Sequence, residues 1–301
     1  MELIDFEFKR ERKLGEFVQD FINLLKIILG HCSKVMVRLL FFPICIVLLI
    51  SYYISTKYNL SAELSVDLFF YIGAAFIILI ITALVAFGFA IEYFLLIRDT
   101  RKLEFDEKDV WKNFKENITK YMRFLLAAFI VSIIAIIPIG IVTFLGVFIP
   151  LVGSIALGIF YAMIGLWYFC AFLFYREGYD DLTDCFLSAF SALKRRAFEY
   201  GIASYVVSFL FQSLLSLVVL IPSLLIGLIA YNSLEFSSDF FETFYGRMLV
   251  SIGGSILTLL GIVYAMLAVM SYGIIYETAK ELKYGEDIFE KISKIGRSNH
   301  A

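Results

Sequence analysis

The chain has 301 residues, of which 61% are hydrophobic and only 18% are charged, and its mean hydropathy is +0.86. A soluble globular domain carries about 45–50% apolar and about 25% charged residues. The net charge of −2 at pH 7 provides no basic field, so a nucleic-acid partner is not expected. The composition therefore predicts an integral membrane protein.

Apolar runs along the chain predict six membrane-spanning helices. A span needs about 20 consecutive apolar residues, and runs of this kind cover approximately residues 39–56, 68–97, 124–148, 151–175, 200–231 and 248–276. The third and fourth spans come from one uncharged run, which Pro150-Leu-Val-Gly153 divides by a predicted tight turn. The N-terminus lacks the order of a signal peptide, so the first span is expected to be permanent. We expect one all-α membrane domain over residues 1–301.

Basic residues predict the orientation of the spans. Of the 26 lysines and arginines, 24 lie before the first span, after the last span, or in the two segments after the second and fourth spans. Lys57 and Arg247 are the two exceptions. By the positive-inside rule, both termini are expected in the cytoplasm.

Each segment on the predicted cytoplasmic side carries apolar residues at three- and four-residue steps. This spacing is typical of amphipathic helices that lie at the membrane surface, here at approximately 12–32, 107–122, 180–198 and 280–295. Lys194, Arg195 and Arg196 end the third segment and are predicted to contact lipid headgroups or a partner. The expected architecture is polytopic, with six transmembrane helices as three hairpins, each preceded by a cytoplasmic amphipathic interfacial helix.

The three inward spans end alike, which suggests a crude threefold repeat. Their last residues are Tyr93-Phe-Leu-Leu-Ile-Arg98, Phe172-Leu-Phe-Tyr-Arg176 and Ile275-Tyr-Glu-Thr-Ala-Lys280. Each apolar end is therefore followed by a basic residue.

Three segments resemble a known family. They are Arg12-Lys-Leu-Gly-Glu-Phe17, Asp184-Cys-Phe-Leu-Ser-Ala-Phe-Ser-Ala-Leu-Lys-Arg-Arg196 and Tyr276-Glu-Thr-Ala-Lys-Glu-Leu-Lys-Tyr-Gly-Glu-Asp-Ile-Phe-Glu290. They resemble uncharacterised six-helix bacterial inner-membrane proteins, a family similar to the membrane domain of some glycerophosphoryl diester phosphodiesterases. The resemblance implies a fold and a bacterial inner membrane rather than a reaction. No phosphodiesterase domain is visible, so that activity is not implied.

Glu92 is a carboxylate inside an otherwise apolar span, and two interpretations stay open. An ionisable group within the membrane is a functional candidate, for example for proton coupling. Alternatively, because Glu92 precedes Arg98 by six residues, or about 9 Å of helix, it lies at the inner interface. There it would pair with Arg38, Arg123 or Arg176.

A polar seam marks the fifth span, because Ser204, Ser208, Gln212 and Ser216 recur at four-residue spacing. This spacing places them on one helix face, which is expected to avoid lipid. Such a face could line a hydrophilic path. It could equally form interhelical hydrogen bonds, worth about 0.6–2 kcal/mol each.

The sequence contains no pattern that specifies catalysis, a metal or another cofactor. Histidine occurs only at positions 31 and 300, and no zinc, hydrolase or nucleotide-binding motif is present. The leading hypothesis is a non-catalytic protein that organises membrane lipids or serves as an accessory subunit of a larger membrane complex at the inner leaflet. The alternative is a transporter of a small solute or lipid that uses the polar seam. An intramembrane enzyme is the third hypothesis, for which no nucleophile–base pair is visible.

Overall fold

The computed structural model describes residues 4–57, 66–149, 152–234 and 243–285, and these are almost entirely helical. Six of the helices are long and apolar enough to cross a membrane, which indicates a membrane-embedded protein and confirms the predicted count. Within those ranges there is no strand, as expected for an all-α chain. The helices are α1 (Leu14–Lys57), α2 (Val66–Thr100), α3 (Glu107–Val147), α4 (Val152–Glu177), α5 (Cys185–Leu193), α6 (Ala197–Leu234) and α7 (Phe244–Tyr284).

The structure differs from the prediction in how the amphipathic segments join the spans. Segment 12–32 and the first span form the single helix α1, and segment 107–122 and the third span form α3. Neither junction contains proline or glycine, and once a helix has begun each added residue gains a hydrogen bond. Only the third predicted segment, 180–198, contains a separate helix, α5.

Several predicted features lie outside the described residues. These are Pro150 and Leu151 of the predicted turn, and the tail from residue 286, which holds most of the fourth amphipathic segment. The described part of that segment is helical, because α7 continues to Tyr284.

The chain divides into two compact units. Unit 1 comprises Met1–His31, Ile91–Phe209 and Ala268–Ala301, and unit 2 comprises Cys32–Ala90 and Leu210–Leu267. The residues of α1 up to His31 belong to unit 1, and those from Cys32 onward belong to unit 2.

An extended N-terminal segment, residues 4–12, packs into unit 1 and was not predicted. Ile4, Phe6 and Phe8 are buried, and Phe8 meets the ring of Phe94 on α2 edge-on with ring centroids 6.0 Å apart. The amide of Ile4 donates to the carbonyl of Arg101 at 2.9 Å. The sequence does carry a signal for this, because the apolar residues 4, 6 and 8 alternate with the acidic residues 5 and 7. Such alternation is typical of an extended segment with one buried face.

Arg12 holds the N-terminal segment in place. Its guanidinium donates to Asp20 at 2.8 Å, to the carbonyl of Phe8 at 3.0 Å and to the hydroxyl of Thr278 on α7 at 3.3 Å. It also lies over the ring of Phe6, 5.2 Å from the centroid. Burial lowers the pKa of Arg12, while the hydrogen bond and charge of Asp20 act in the opposite direction. The segment is thereby tied to both α1 and α7.

Close helix approaches in unit 1 depend on two glycines. A Cβ at Gly273 of α7 would overlap the ring of Phe94 on α2, and a Cβ at Gly158 of α4 would overlap the ring of Tyr205 on α6. Small residues at such positions let helix backbones come close together in membrane proteins. The rings of Phe94 and Tyr205 therefore occupy the space that a larger side chain at Gly273 or Gly158 would need.

Candidate functional site

Glu92 lies in a buried ion pair in unit 1. It is fully buried and accepts hydrogen bonds from Nε of Arg176 at 3.1 Å and from Nη2 of Arg176 at 3.0 Å. The hydroxyl of Tyr121 donates a third, at 2.9 Å. Of the three arginines that the sequence offered as partners, Arg176 is the one that pairs with Glu92. The two oxygens of Glu92 thus accept three hydrogen bonds, from side chains of α3 and α4.

Arg98 forms the centre of a second set of ion pairs at the end of α2. Its Nη1 contacts Glu177 of α4 and donates to Glu277 of α7 at 2.7 Å, and its Nε donates to Asp99 at 2.8 Å. Glu277 is fully buried, whereas the Asp99 side chain is 61% exposed. Arg98 therefore links three helices through carboxylates of unequal burial.

Lys280 and Tyr276 complete this arrangement from α7. The hydroxyl of Tyr276 donates to Oε2 of Glu177 at 2.9 Å, and Nζ of Lys280 lies 3.3 Å from the same oxygen. Lys280 is also 3.4 Å from Oε2 of Glu277. We call the following residues the ion cluster: Glu92, Arg98, Arg176, Glu177, Glu277 and Lys280. Their formal charges cancel.

The ion cluster explains why three of the spans end alike in sequence. Arg98, Arg176 and Lys280 are the basic residues that close the three similar span ends, and unit 1 brings all three together. Arg98 and Arg176 each lie in the last turn of a helix, where positive charge is favoured by the helix dipole. Sequence reasoning did not single out Glu177 and Glu277, which lie directly beside or near those basic residues.

A cavity of about 400 Å³ opens beside the ion cluster within unit 1. Charged and polar side chains line most of it, and Leu95 and Leu96 are its apolar members. The lining includes Lys9 of the N-terminal segment and Asn113 of α3 as well as residues of the cluster.

The predicted polar seam of α6 does not form one packed face. Ser204 is fully buried, and its Oγ has no hydrogen-bond partner. Ser208 is half-buried, whereas Gln212 and Ser216 are exposed on the surface of the described chain. Ser204 belongs to unit 1, whereas Gln212 and Ser216 belong to unit 2. The expectation that this face avoids lipid stays a prediction.

Gln212 and Ser216 line a second cavity, of about 560 Å³, within unit 2. The opposite wall is formed by α7, with Tyr264 as its polar member. The remaining lining is apolar: Leu215, Val219, Leu220, Leu257, Leu260 and Gly261.

The basic residues after α5 have two different environments. Lys194 and Arg195 are exposed, as expected of residues that meet headgroups or a partner. Arg196 instead donates from Nη2 to Glu11 of the N-terminal segment at 2.7 Å. Arg196 thus makes a contact within unit 1, and its contact with lipid headgroups or a partner stays a prediction.

Helix α5 is apolar on two sides. Cys185 and Ala189 are fully buried, and Trp167 of α4 donates to the carbonyl of Phe186 at 2.9 Å. Burial raises the pKa of the Cys185 thiol to about 11. Leu187 and Phe190 lie on the other side, with 71% and 59% of their surface exposed. The helix therefore has apolar residues on a buried side and on an exposed side.

The chain matches no protein-family model, and no curated protein or solved structure is significantly similar to it. Its function therefore has to be inferred from the geometry of these side chains.

Proposed function

We propose that this protein is a non-catalytic membrane protein that organises anionic lipid at the inner leaflet of a bacterial cytoplasmic membrane. In this proposal the six spans form three hairpins, and both termini are cytoplasmic. The amphipathic segments, whether continuous with a span or separate, lie at the cytoplasmic surface. The family resemblance of the sequence and the distribution of its basic residues support this arrangement.

The exposed side of α5 carries the proposal. Leu187 and Phe190 present large apolar side chains there, and Phe198 follows with 68% of its surface exposed. Lys194 and Arg195 are exposed between them. An apolar face flanked by basic residues inserts between lipid headgroups, and each basic residue near an anionic surface contributes about 1 kcal/mol.

Tryptophan quenching by brominated lipids tests this contact, because Trp167 is hydrogen-bonded to α5. We compare quenching by brominated phosphatidylglycerol with quenching by brominated phosphatidylcholine in reconstituted vesicles. Arg195→Gln should reduce the preference for phosphatidylglycerol about fivefold, the equivalent of about 1 kcal/mol. Arg196→Gln is the matched control and should change it little, because Arg196 is already paired with Glu11. Equal preference for the two lipids in the wild-type protein would contradict the proposal.

Transport of a lipid is the second candidate, and the cavity beside Gln212 and Ser216 favours it. Its largely apolar wall fits a hydrocarbon chain better than an ion. Gln212→Leu should leave the stability within about 0.5 kcal/mol, since Gln212 is exposed. If lipid transport occurs, the same variant should slow the scrambling of fluorescent phosphatidylglycerol in a dithionite assay. A wild-type protein that scrambles no faster than protein-free vesicles would exclude this candidate.

A further inference from the structure

We propose that the cavity beside the ion cluster is a discrete binding site for a singly charged phosphate diester, held between Arg98 and Arg176. This goes beyond the proposed function, because it assigns one site of defined chemistry and uses none of the exposed residues of α5. The same chemistry could come from a lipid headgroup or from a soluble phosphate compound.

Each arginine contacts carboxylates through two of its three guanidinium nitrogens, and each also lines the cavity. Arg98 uses Nε and Nη1 in its contacts, and Arg176 uses Nε and Nη2. Nη2 of Arg98 and Nη1 of Arg176 have no partner among the described residues. The two side chains keep 12% and 16% exposure, and both line the cavity. Their N–H groups are therefore available to a ligand in it.

The carboxylates fix both guanidinium groups before a ligand arrives. Glu92 and Glu277 are fully buried and hold Arg176 and Arg98, respectively, through contacts of 2.7–3.1 Å. A guanidinium presents its donors in a rigid plane that matches the oxygens of a phosphate group. Because the side chains are already ordered, binding costs little further side-chain entropy.

The charge balance of the site selects a ligand of low charge. The ion cluster is neutral, and the other two charged residues of the lining, Lys9 and Asp99, cancel each other. A phosphate diester carries one negative charge near neutral pH and accepts hydrogen bonds through two oxygens. Asp99 disfavours a dianion more strongly, because like charges repel in proportion to their charge.

The size and position of the cavity suit a headgroup. Its volume of about 400 Å³ lies within the range of about 300–1,000 Å³ that is typical of small-molecule sites. Arg98 and Arg176 lie one or two residues before the ends of α2 and α4, where apolar spans end. The phosphate groups of a bilayer lie at the same boundary, just beyond the hydrocarbon core.

Variants at Asn113 test the site without removing an ion pair, because Asn113 lines the cavity and only its backbone carbonyl accepts a hydrogen bond, from Asn117. Asn113→Phe fills the cavity, and Asn113→Ala is the matched control that leaves it open. Arg176→Lys keeps the charge opposite Glu92 but loses the additional donors. The probes are phosphatidylglycerol, diacylglycerol with the same chains, and inorganic phosphate. Native mass spectrometry of the full-length protein in detergent measures the binding of each.

We expect one phosphatidylglycerol to bind more tightly than diacylglycerol. Asn113→Phe and Arg176→Lys should each weaken this binding about tenfold or more, whereas Asn113→Ala should change it less than threefold. Variant-sensitive binding of inorganic phosphate with no preference for phosphatidylglycerol over diacylglycerol would support the site and assign a soluble source. Undiminished binding to a folded Asn113→Phe variant, with the helicity and melting temperature of wild type, would overturn the proposal. So would equal binding of the two lipids without any binding of phosphate. If the α5 surface showed no preference for phosphatidylglycerol while the cavity still bound it, the proposed function would be contradicted and this site would not.

Discussion

Removal of the Glu92 carboxylate should destabilise unit 1 strongly, because Glu92 is the buried partner of Arg176. Glu92→Ala leaves a guanidinium without its counter-ion and removes the acceptor of the Tyr121 hydroxyl. Breaking a buried ion pair costs about 3–5 kcal/mol. The side chain of Arg176 is 16% exposed beside a cavity that water can enter. In Glu92→Ala, water can therefore solvate part of the unpaired guanidinium and offset part of this cost. We therefore expect the low end of that range, about 3 kcal/mol.

The double variant Glu92→Ala/Arg176→Met shows how much of the loss of stability comes from leaving Arg176 unpaired. With the charge of Arg176 removed, the cost of an unpaired buried cation disappears, so the double variant should be more stable than Glu92→Ala alone by about 1–2 kcal/mol. Reversible unfolding in mixed micelles, followed by circular dichroism, gives each free energy of unfolding. A decrease of less than 1 kcal/mol in the free energy of unfolding of Glu92→Ala would refute the reasoning. So would a double variant whose decrease equals the sum of the decreases for Glu92→Ala and Arg176→Met.

Three further predictions concern packing and reactivity. Phe8→Ala should lower the free energy of unfolding by about 3 kcal/mol, measured in the same assay, since its ring is 1% exposed. Gly273→Ala should cost about 1–3 kcal/mol through overlap with Phe94, whereas the control Gly253→Ala, whose new Cβ meets no atom within 4 Å, should cost nothing. In a variant whose other cysteines are replaced by alanine, the rate of alkylation of Cys185 should rise about tenfold with each pH unit up to pH 10. The reason is that its thiol has a pKa of about 11. A rate that levels off near pH 9 would indicate an ordinary thiol.

The spans were predictable because they depend on local composition. A run of apolar residues is a property of consecutive positions, and helix formation follows from the need to satisfy backbone groups in lipid. The position of Glu92 along its span sets its depth in the membrane. The sequence therefore limited its candidate partners to three arginines at a similar depth. The continuity of α1 through residues 33–38 was missed, because depth in the membrane says nothing about whether a helix is interrupted.

The ion cluster could not be predicted from local patterns. Arg98 and Glu277 are 179 residues apart, and their contact depends on how α2 and α7 pack. That packing in turn depends on Gly273, whose missing side chain admits the ring of Phe94. The exposure of Gln212 was also unpredictable, because four-residue spacing shows that residues share a face but not whether another helix covers it.

The anchoring of Arg12 has a consequence for biosynthesis. Its contact with Thr278 joins residues 266 positions apart, so the N-terminal segment cannot complete its packing until α7 has been made. At about 5–20 residues per second, translation of the intervening chain takes about 15–50 s. During that interval Arg12 lacks its hydrogen bond to Thr278. The packing of the N-terminal segment is therefore a late step in the folding of unit 1.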